Sequence, residues 1–223
     1  MKVAIIADIH GNLDALKVVI EDIRGRGIKD IVCAGDIVGY GPEPDKCVEL
    51  IRKNLVTCVR GNHEQVAVTL DDLDRVTNDA KDSLIWTNKQ LSFQNKQYLK
   101  DLPITKKIGN IFMVHGSPFD PLYEYVYEDD DMSYFIRSAD SEILVMAHTH
   151  VPYIKMVKKT LIINPGSVGQ PRDNLPEASY CILDTETRKA IIIRVPYDIN
   201  AVEKKINKAG LPKHLGSRLH FGK

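Results

Sequence analysis

Five apolar runs of strand length each break off into an aspartate, asparagine or histidine, and this coincidence limits the fold more than any other feature. Asp8 and His10 follow "KVAIIA", Asp36 follows "DIVCAG", Asn62 and His63 follow "VTCVRG", His115 follows "NIFMV", and His148 and His150 follow "EILVMA". Open α/β sheets bind ligands outside the carboxyl ends of their strands, so a chain that places its imidazoles and carboxylates there is built around a site. Gly11, Gly35, Gly61 and Gly116 lie beside these residues, where glycine permits tight turns and close backbone approach. Residues i and i+2 of an extended segment project to the same side. The spacing therefore predicts that Asp8 and His10 grip one point, and that His148 and His150 grip another.

The intervening segments predict an α/β (α+β) fold. "LDALKVVIEDIRGRG" is a helix closing on glycine and "PDKCVELIRKN" a helix opening after a proline; with the strands between them they form a parallel core. Residues 64–103 predict a helical excursion through "NDAKDSLIWTNKQL" and "SFQNKQYLKDLP", with Ser92 as an N-cap. The segment 117–141 reads as a loop leading into a short helix, its acidic run Glu128 to Asp131 capping that helix. After His150 the pattern turns antiparallel, with one hairpin through Lys158 and Lys159 and another turning at Thr185 to Thr187. The tail from Asn200 reads as an amphipathic helix with a solvated basic face. No repeat or polar linker divides the 223 residues, which implies one domain, 1–223.

Thirty basic residues balance thirty acidic ones, so no general affinity for nucleic acid or anionic membrane is expected, and the partner should be small or locally recognised. The first apolar run meets Asp8 too early to form a signal-peptide core, and no run reaches membrane-spanning length. Four cysteines without Cys-x-x-Cys spacing imply reduced thiols and a cytoplasmic location. Nothing in the sequence sets an oligomeric state.

The strand-end donors comprise two carboxylates, four imidazoles and one amide oxygen, enough for two cations if one carboxylate bridges. Mixed nitrogen and oxygen donors without thiolate suit divalent Mn, Fe, Zn, Ni or Co better than Mg or Ca.

Taken together, "ADIHGN", "AGDIVGYGP", "RGNHE", "VHGSP" and "AHTHVP" resemble the motif series of the calcineurin-like metallophosphoesterases, in the branch of small bacterial and archaeal phosphodiesterases. The resemblance runs from residue 3 to about residue 172, through "NPGSVGQPR". It implies a four-layer sandwich, two mixed β-sheets face to face with helices outside. It also implies Asp8, His10 and His150 on one metal, Asn62, His115 and His148 on the other, Asp36 bridging, and His63 as the catalytic histidine. Manganese is the metal expected first.

The activity expected is hydrolysis of a small phosphate ester, a phosphodiester before a monoester. Two ions roughly 3.5–4 Å apart would share a water whose pKa falls to about 7, and the resulting hydroxide would attack in line, with His63 as general acid. A phosphomonoesterase, protein phosphatase or dinucleoside polyphosphate hydrolase on the same site, or a metal-binding scaffold without catalysis, is the alternative. The family's Gly-His-x-His carries Ala147 at the glycine position, which would strain a positive φ there. Arg172 is either a phosphate contact, through its bidentate guanidinium, or a surface arginine. Tyr40 and Tyr123 to Tyr127 are either a wall for an aromatic group or, as preferred here, core filling. Asn164 and Ser167 either orient the site or make a turn. A metallo-β-lactamase site would want His-x-His-x-Asp-His, but Val151, Pro152 and Tyr153 follow His150. A barrel amidohydrolase would place its His-x-His after the first strand, which here holds Asp8-x-His10. Neither glycine-rich nucleotide-binding motif is present.

Overall fold

The computed structural model describes all 223 residues. Its elements run β1 (Lys2–Ile6), α1 (Leu13–Gly25), β2 (Asp30–Cys33), α2 (Pro44–Lys53), β3 (Thr57–Cys58), α3 (Asn62–Thr69), α4 (Asn78–Gln90), α5 (Phe93–Asp101), β4 (Thr105–Ile108), β5 (Ile111–Val114), α6 (Phe135–Ala139), β6 (Ile143–Val145), β7 (Tyr153–Val157), β8 (Thr160–Asn164), β9 (Ala178–Asp184), β10 (Lys189–Val195), α7 (Ile199–Lys208) and α8 (His214–Ser217). Short 3-10 turns follow α3 and α8. No helix is long and apolar enough to cross a membrane.

Two five-stranded sheets form, in the orders β10-β9-β1-β2-β3 and β4-β5-β6-β8-β7. Each has a parallel centre, β1-β2-β3 in one and β5-β6-β8 in the other, with antiparallel strands at its margin. The expected division into a parallel first half and an antiparallel second half is thus corrected, because the late β9–β10 hairpin crosses back to pair with β1. The mixed sheets of the four-layer sandwich are present.

Alternation along β1 shows how the layers are specified. Val3 and Ile5 face the second sheet and pack with Met113, Val145 and Ile163, whereas Ala4 and Ile6 face outward onto Leu16, Val19 and Val48 of the helices. A strand covered on both faces must be apolar at every position, which is why "VAII" carries no polar residue. Burying Ile5 completely is worth about 1.5–3 kcal/mol relative to exposure. A third cluster, including Phe135, Leu144 and Ile162, seals the outer face of the second sheet.

The carboxyl ends of all six parallel strands meet at one edge of the sandwich, which positions the site. Ser92 caps α5 as expected, accepting from the Asn95 amide. Glu128 to Asp131 do not cap α6: Asp130 and Asp131 close local turns on the amides of Tyr127 and Ser133. The helical excursion begins at Asn62 rather than residue 64, and β4, too charged to read as a strand, lies at a sheet edge where two lysines face out.

Candidate metal centre

Asp8 and His10 leave β1, Asp36 leaves β2, His115 leaves β5 and His148 and His150 leave β6; Asn62 and His63 lie in the first turn of α3 rather than at a strand end. The expected extended geometry is not what brings them together. Asp8 (φ 52°), His10 (49°), Asp36 (55°), His148 (67°) and His150 (61°) are all left-handed, a conformation that Asp, Asn and His tolerate better than most residues. His148 and His150 accordingly separate, one to each half of the site. Ala147 is not among the positive-φ residues, so the alanine there carries no strain: the left-handed positions lie one residue either side of Thr149.

Such backbone costs on the order of 1–3 kcal/mol per residue and persists only where the surroundings impose it. Here Asp8 N donates to Gly35 O (3.0 Å) and His10 N to Asp36 O (2.9 Å). Ser167 Oγ donates to Asp8 O (2.7 Å), and Asn164 Nδ2 to Ala147 O (3.1 Å) and Thr149 Oγ1 (2.9 Å). Asn164 also accepts from Gly166 N (3.0 Å), so these residues both orient the site and make a turn.

Two triads result. His150 Nε2 lies 3.4 Å from Asp8 Oδ1 and 3.0 Å from His10 Nε2. His115 Nε2 lies 3.0 Å from His148 Nδ1 and 3.1 Å from Asn62 Oδ1. Asp36 Oδ2 sits between them, 3.7 Å from His10 Nε2 and 3.4 Å from His115 Nε2, while its Oδ1 accepts from His63 N at 3.0 Å.

Tautomers are fixed by backbone carbonyls, which can only accept. His10 Nδ1 donates to Val38 O (3.1 Å), His115 Nδ1 to Ala34 O (2.8 Å) and His150 Nδ1 to Gln170 O (2.6 Å). With neutral rings, the Nε2 atoms of His10 and His150 therefore confront each other as lone pairs 3.0 Å apart. Both Asp8 oxygens are buried without any hydrogen-bond partner, which is costly for a carboxylate. Facing lone pairs beside an unpartnered carboxylate fit divalent cations, with the carbonyl-bound Nδ1 atoms orienting the rings as metal-bound histidines require.

Burial raises the Asp8 carboxyl to about 8 despite the opposing field of His115. Burial lowers His10 and His150 well below the usual imidazole value and His148 to about 2. Burial works most strongly against charge on His115, but Asp36, Asp8 and the Ala34 carbonyl together outweigh it and lift that ring to about 9. Desolvation would raise Asp36, yet His115 and His63 hold it well below the ordinary carboxylate range.

His63 is buried, its Nε2 3.9 Å from Asp36 Oδ2 and its ring beside those of His10 and Tyr40 (centroids 4.6 and 4.7 Å). Its Nδ1 has no partner and faces Gly39, where any Cβ would overlap it. Burial lowers this imidazole to about 4. Arg172 donates its amide to His150 O and one guanidinium nitrogen to Gln170 Oε1 (3.0 Å), and its buried Nε is unpartnered. Tyr40 is buried, whereas Tyr125 and Tyr127 are about half exposed, so those two do not fill the core.

Glu64 went unassigned in the sequence, although the spacing Gly61-x-x-Glu64 is that of a capping box. Its carboxylate accepts from the amides of Gly61, Asp36, Ile37 and Val38 at 2.6–3.1 Å, joining the α3 N-terminus to the loop after β2. Burial nonetheless raises it to about 7. A cavity of about 830 Å³ opens at the far end of the sandwich, near Met1 and Leu55, away from all of this chemistry.

The sequence profile of the calcineurin-like phosphoesterase superfamily domain matches residues 1–188. The chain belongs to the calcineurin-like phosphoesterase superfamily. A crystal structure of a metallophosphoesterase from Sphaerobacter thermophilus is 37% identical and superposes with a TM-score of 0.89, covering 100% of this chain and 99% of the other. An uncharacterised protein of Methanocaldococcus jannaschii is 38% identical across 99% of this calcineurin-like chain and 98% of its own length. Phosphodiesterase YfcE of Escherichia coli is 26% identical across 86% and 92% of the two chains.

Proposed function

We propose that this calcineurin-like protein is a hydrolase of phosphodiesters that works with two divalent transition metal ions, manganese first among them. Asp8, His10 and His150 would hold one ion and Asn62, His115 and His148 the other, with the Asp36 carboxylate between the two sets. The observation that carries this reading is the approach of His10 Nε2 and His150 Nε2 to 3.0 Å with both Nδ1 atoms committed to carbonyls. When bound, such a pair of ions polarises phosphoryl oxygens and supplies a nucleophile from water at neutral pH.

The remaining tasks fall to the chain. Arg172 offers its unpartnered Nε to a phosphoryl oxygen, a charge-assisted contact that neutral donors cannot match. Hydrolysis adds water across the P–O bond, and the departing alkoxide must gain a proton. That proton is assigned to His63, a reading supported by its Nε2 lying 3.9 Å from Asp36 Oδ2 and by its lining the same pocket as Asn62. At pH 7 a ring held near 4 is neutral, and charging it costs about 4 kcal/mol at about 1.36 kcal/mol per unit. The negative charge of a bound phosphate ester offsets that cost, so His63 becomes an acid only when substrate is present. A preference for diesters is supported by the likeness to YfcE, whose name is that of a phosphodiesterase.

The test is hydrolysis of bis-p-nitrophenyl phosphate and p-nitrophenyl phosphate with Mn, Fe, Zn, Ni, Co or Mg, alongside metal content by mass spectrometry. Two equivalents of metal and faster diester turnover are expected. Bound metal with neither ester hydrolysed would favour a scaffold.

A further inference from the structure

A pocket of about 320 Å³ opens directly from the metal centre, sharing Asn62, His63 and His148 with it. Its outer walls come from two stretches distant in sequence, Arg75 to Ala80 and Tyr123 to Tyr125. Arg75 clasps them together: its guanidinium carbon lies 3.6 Å from the centre of the Tyr123 ring, and Nη2 lies 3.4 Å from Asp120 Oδ2. Tyr123 Oη donates to Asp72 Oδ2 (3.3 Å), closing the clasp from the other side. Tyr125 covers His148, ring centroids 3.9 Å apart, and Tyr40 stands against His63.

Three features narrow what such a pocket receives. Its walls are planar and π-bearing, Arg75, Tyr123 and Tyr125, and the Arg75 side chain is half exposed; flat guanidinium and phenol surfaces stack on flat aromatic ligands. Asp72 and Asp120, bonded to the wall residues Tyr123 and Arg75, put negative charge beside the pocket, which disfavours a further phosphate there. Its size lies at the lower end of small-ligand sites, too narrow for a folded protein surface. Resting on the phosphoesterase reading above, we propose that this pocket is a nucleobase subsite, so that the ester hydrolysed is a nucleotide ester whose base lies between Arg75 and Tyr125. In that pose P–O cleavage sends the water oxygen to phosphorus, and the nucleoside oxygen leaves with a proton on the side of His63.

The experiment measures, by calorimetry on the manganese-loaded protein, the affinities of the P–C isosteres of adenosine 5′-monophosphate and of methyl riboside 5-phosphate, which resist hydrolysis. The adenine compound should bind about tenfold tighter, the size of one base stacking on an aromatic side chain. Arg75→Met and Tyr125→Leu keep side-chain bulk but remove the planar groups. Each should reduce that advantage to under about threefold and leave the base-free compound's affinity as it is, and each is checked for folding by its thermal melt. Equal affinities in the parent protein, an unchanged advantage in both folded variants, or a parallel loss for both compounds overturns the subsite. Chromogenic diester hydrolysis without a base advantage sinks the subsite and leaves the phosphoesterase. A base advantage with no ester hydrolysed sinks the phosphoesterase and leaves a nucleotide pocket.

Discussion

Replacing Asp8 by asparagine should stabilise the metal-free protein while weakening its hold on metal. The Asp8 carboxyl is buried with no partner on either oxygen, and burial lifts it from an ordinary value of 3.8 to about 8. A carboxyl raised in this way supports the fold fully below pH 3.8, and that support is lost as pH rises toward 8. At pH 7 the loss is about 4 kcal/mol, at about 1.36 kcal/mol per unit. Asparagine has nearly the same shape as the protonated acid and nothing to ionise, and its amide can donate toward His150 Nε2, 3.4 Å from the present Oδ1. Imperfect pairing of the amide offsets about 1–2 kcal/mol of the gain, leaving a net stabilisation of about 2 kcal/mol. Urea unfolding at pH 7 in EDTA should show Asp8→Asn as the more stable chain, with a gap that narrows toward pH 5. Manganese at 1,000 times Kd should add about 4 kcal/mol to the parent protein and far less to the variant. A variant less stable in EDTA, or one that gains as much from manganese, would refute the reasoning.

His63→Asn should keep its metal content and lose about 10²–10⁴ in kcat on a diester with an alkoxide leaving group, but much less on a p-nitrophenyl ester; equal losses would remove the general-acid role. Glu64→Gln turns an NH2 group toward buried amides that now donate to a carboxylate and should cost about 3 kcal/mol in chemical denaturation. A loss under about 1 kcal/mol would show that the four-amide clamp contributes little. In the metal-free chain His10, His63, His148 and His150 are held neutral below the usual imidazole value, so stability is lost as pH falls below about 6.5, while Asp8 and Glu64, raised, pull the other way. Near pH 5 the unfolded chain binds about two more protons than the folded one, which predicts about 2.7 kcal/mol lost per pH unit there, read from urea midpoints. Near pH 6.5 the unfolded imidazoles are half protonated and the raised His115 adds to Asp8 and Glu64, so the slope is close to flat.

The strands and their terminal donors were legible because β1 and β6 must be apolar on both faces, so a polar residue at their ends stands out. The sheet partners of β9 and β10 were not, since a hairpin pattern looks the same whichever sheet its first strand joins. Period-two alternation also misled at the site itself: Asp8, His10, His148 and His150 are positioned by left-handed turns, which leave no periodic trace. That Asp and His tolerate such backbone was the available clue. Glu64 was readable as a capping-box residue, but its bonds to Asp36, Ile37 and Val38 span 26 to 28 residues and only the folded chain shows them. The clasp between Arg75 and Tyr123 is of the same kind.

The most direct test is anomalous diffraction at the manganese edge from crystals grown with excess manganese. Two peaks are predicted, one within reach of Asp8, His10 and His150, the other within reach of Asn62, His115 and His148, with Asp36 between them. No peak, or a single ion that leaves one triad without metal, would contradict the two-ion centre.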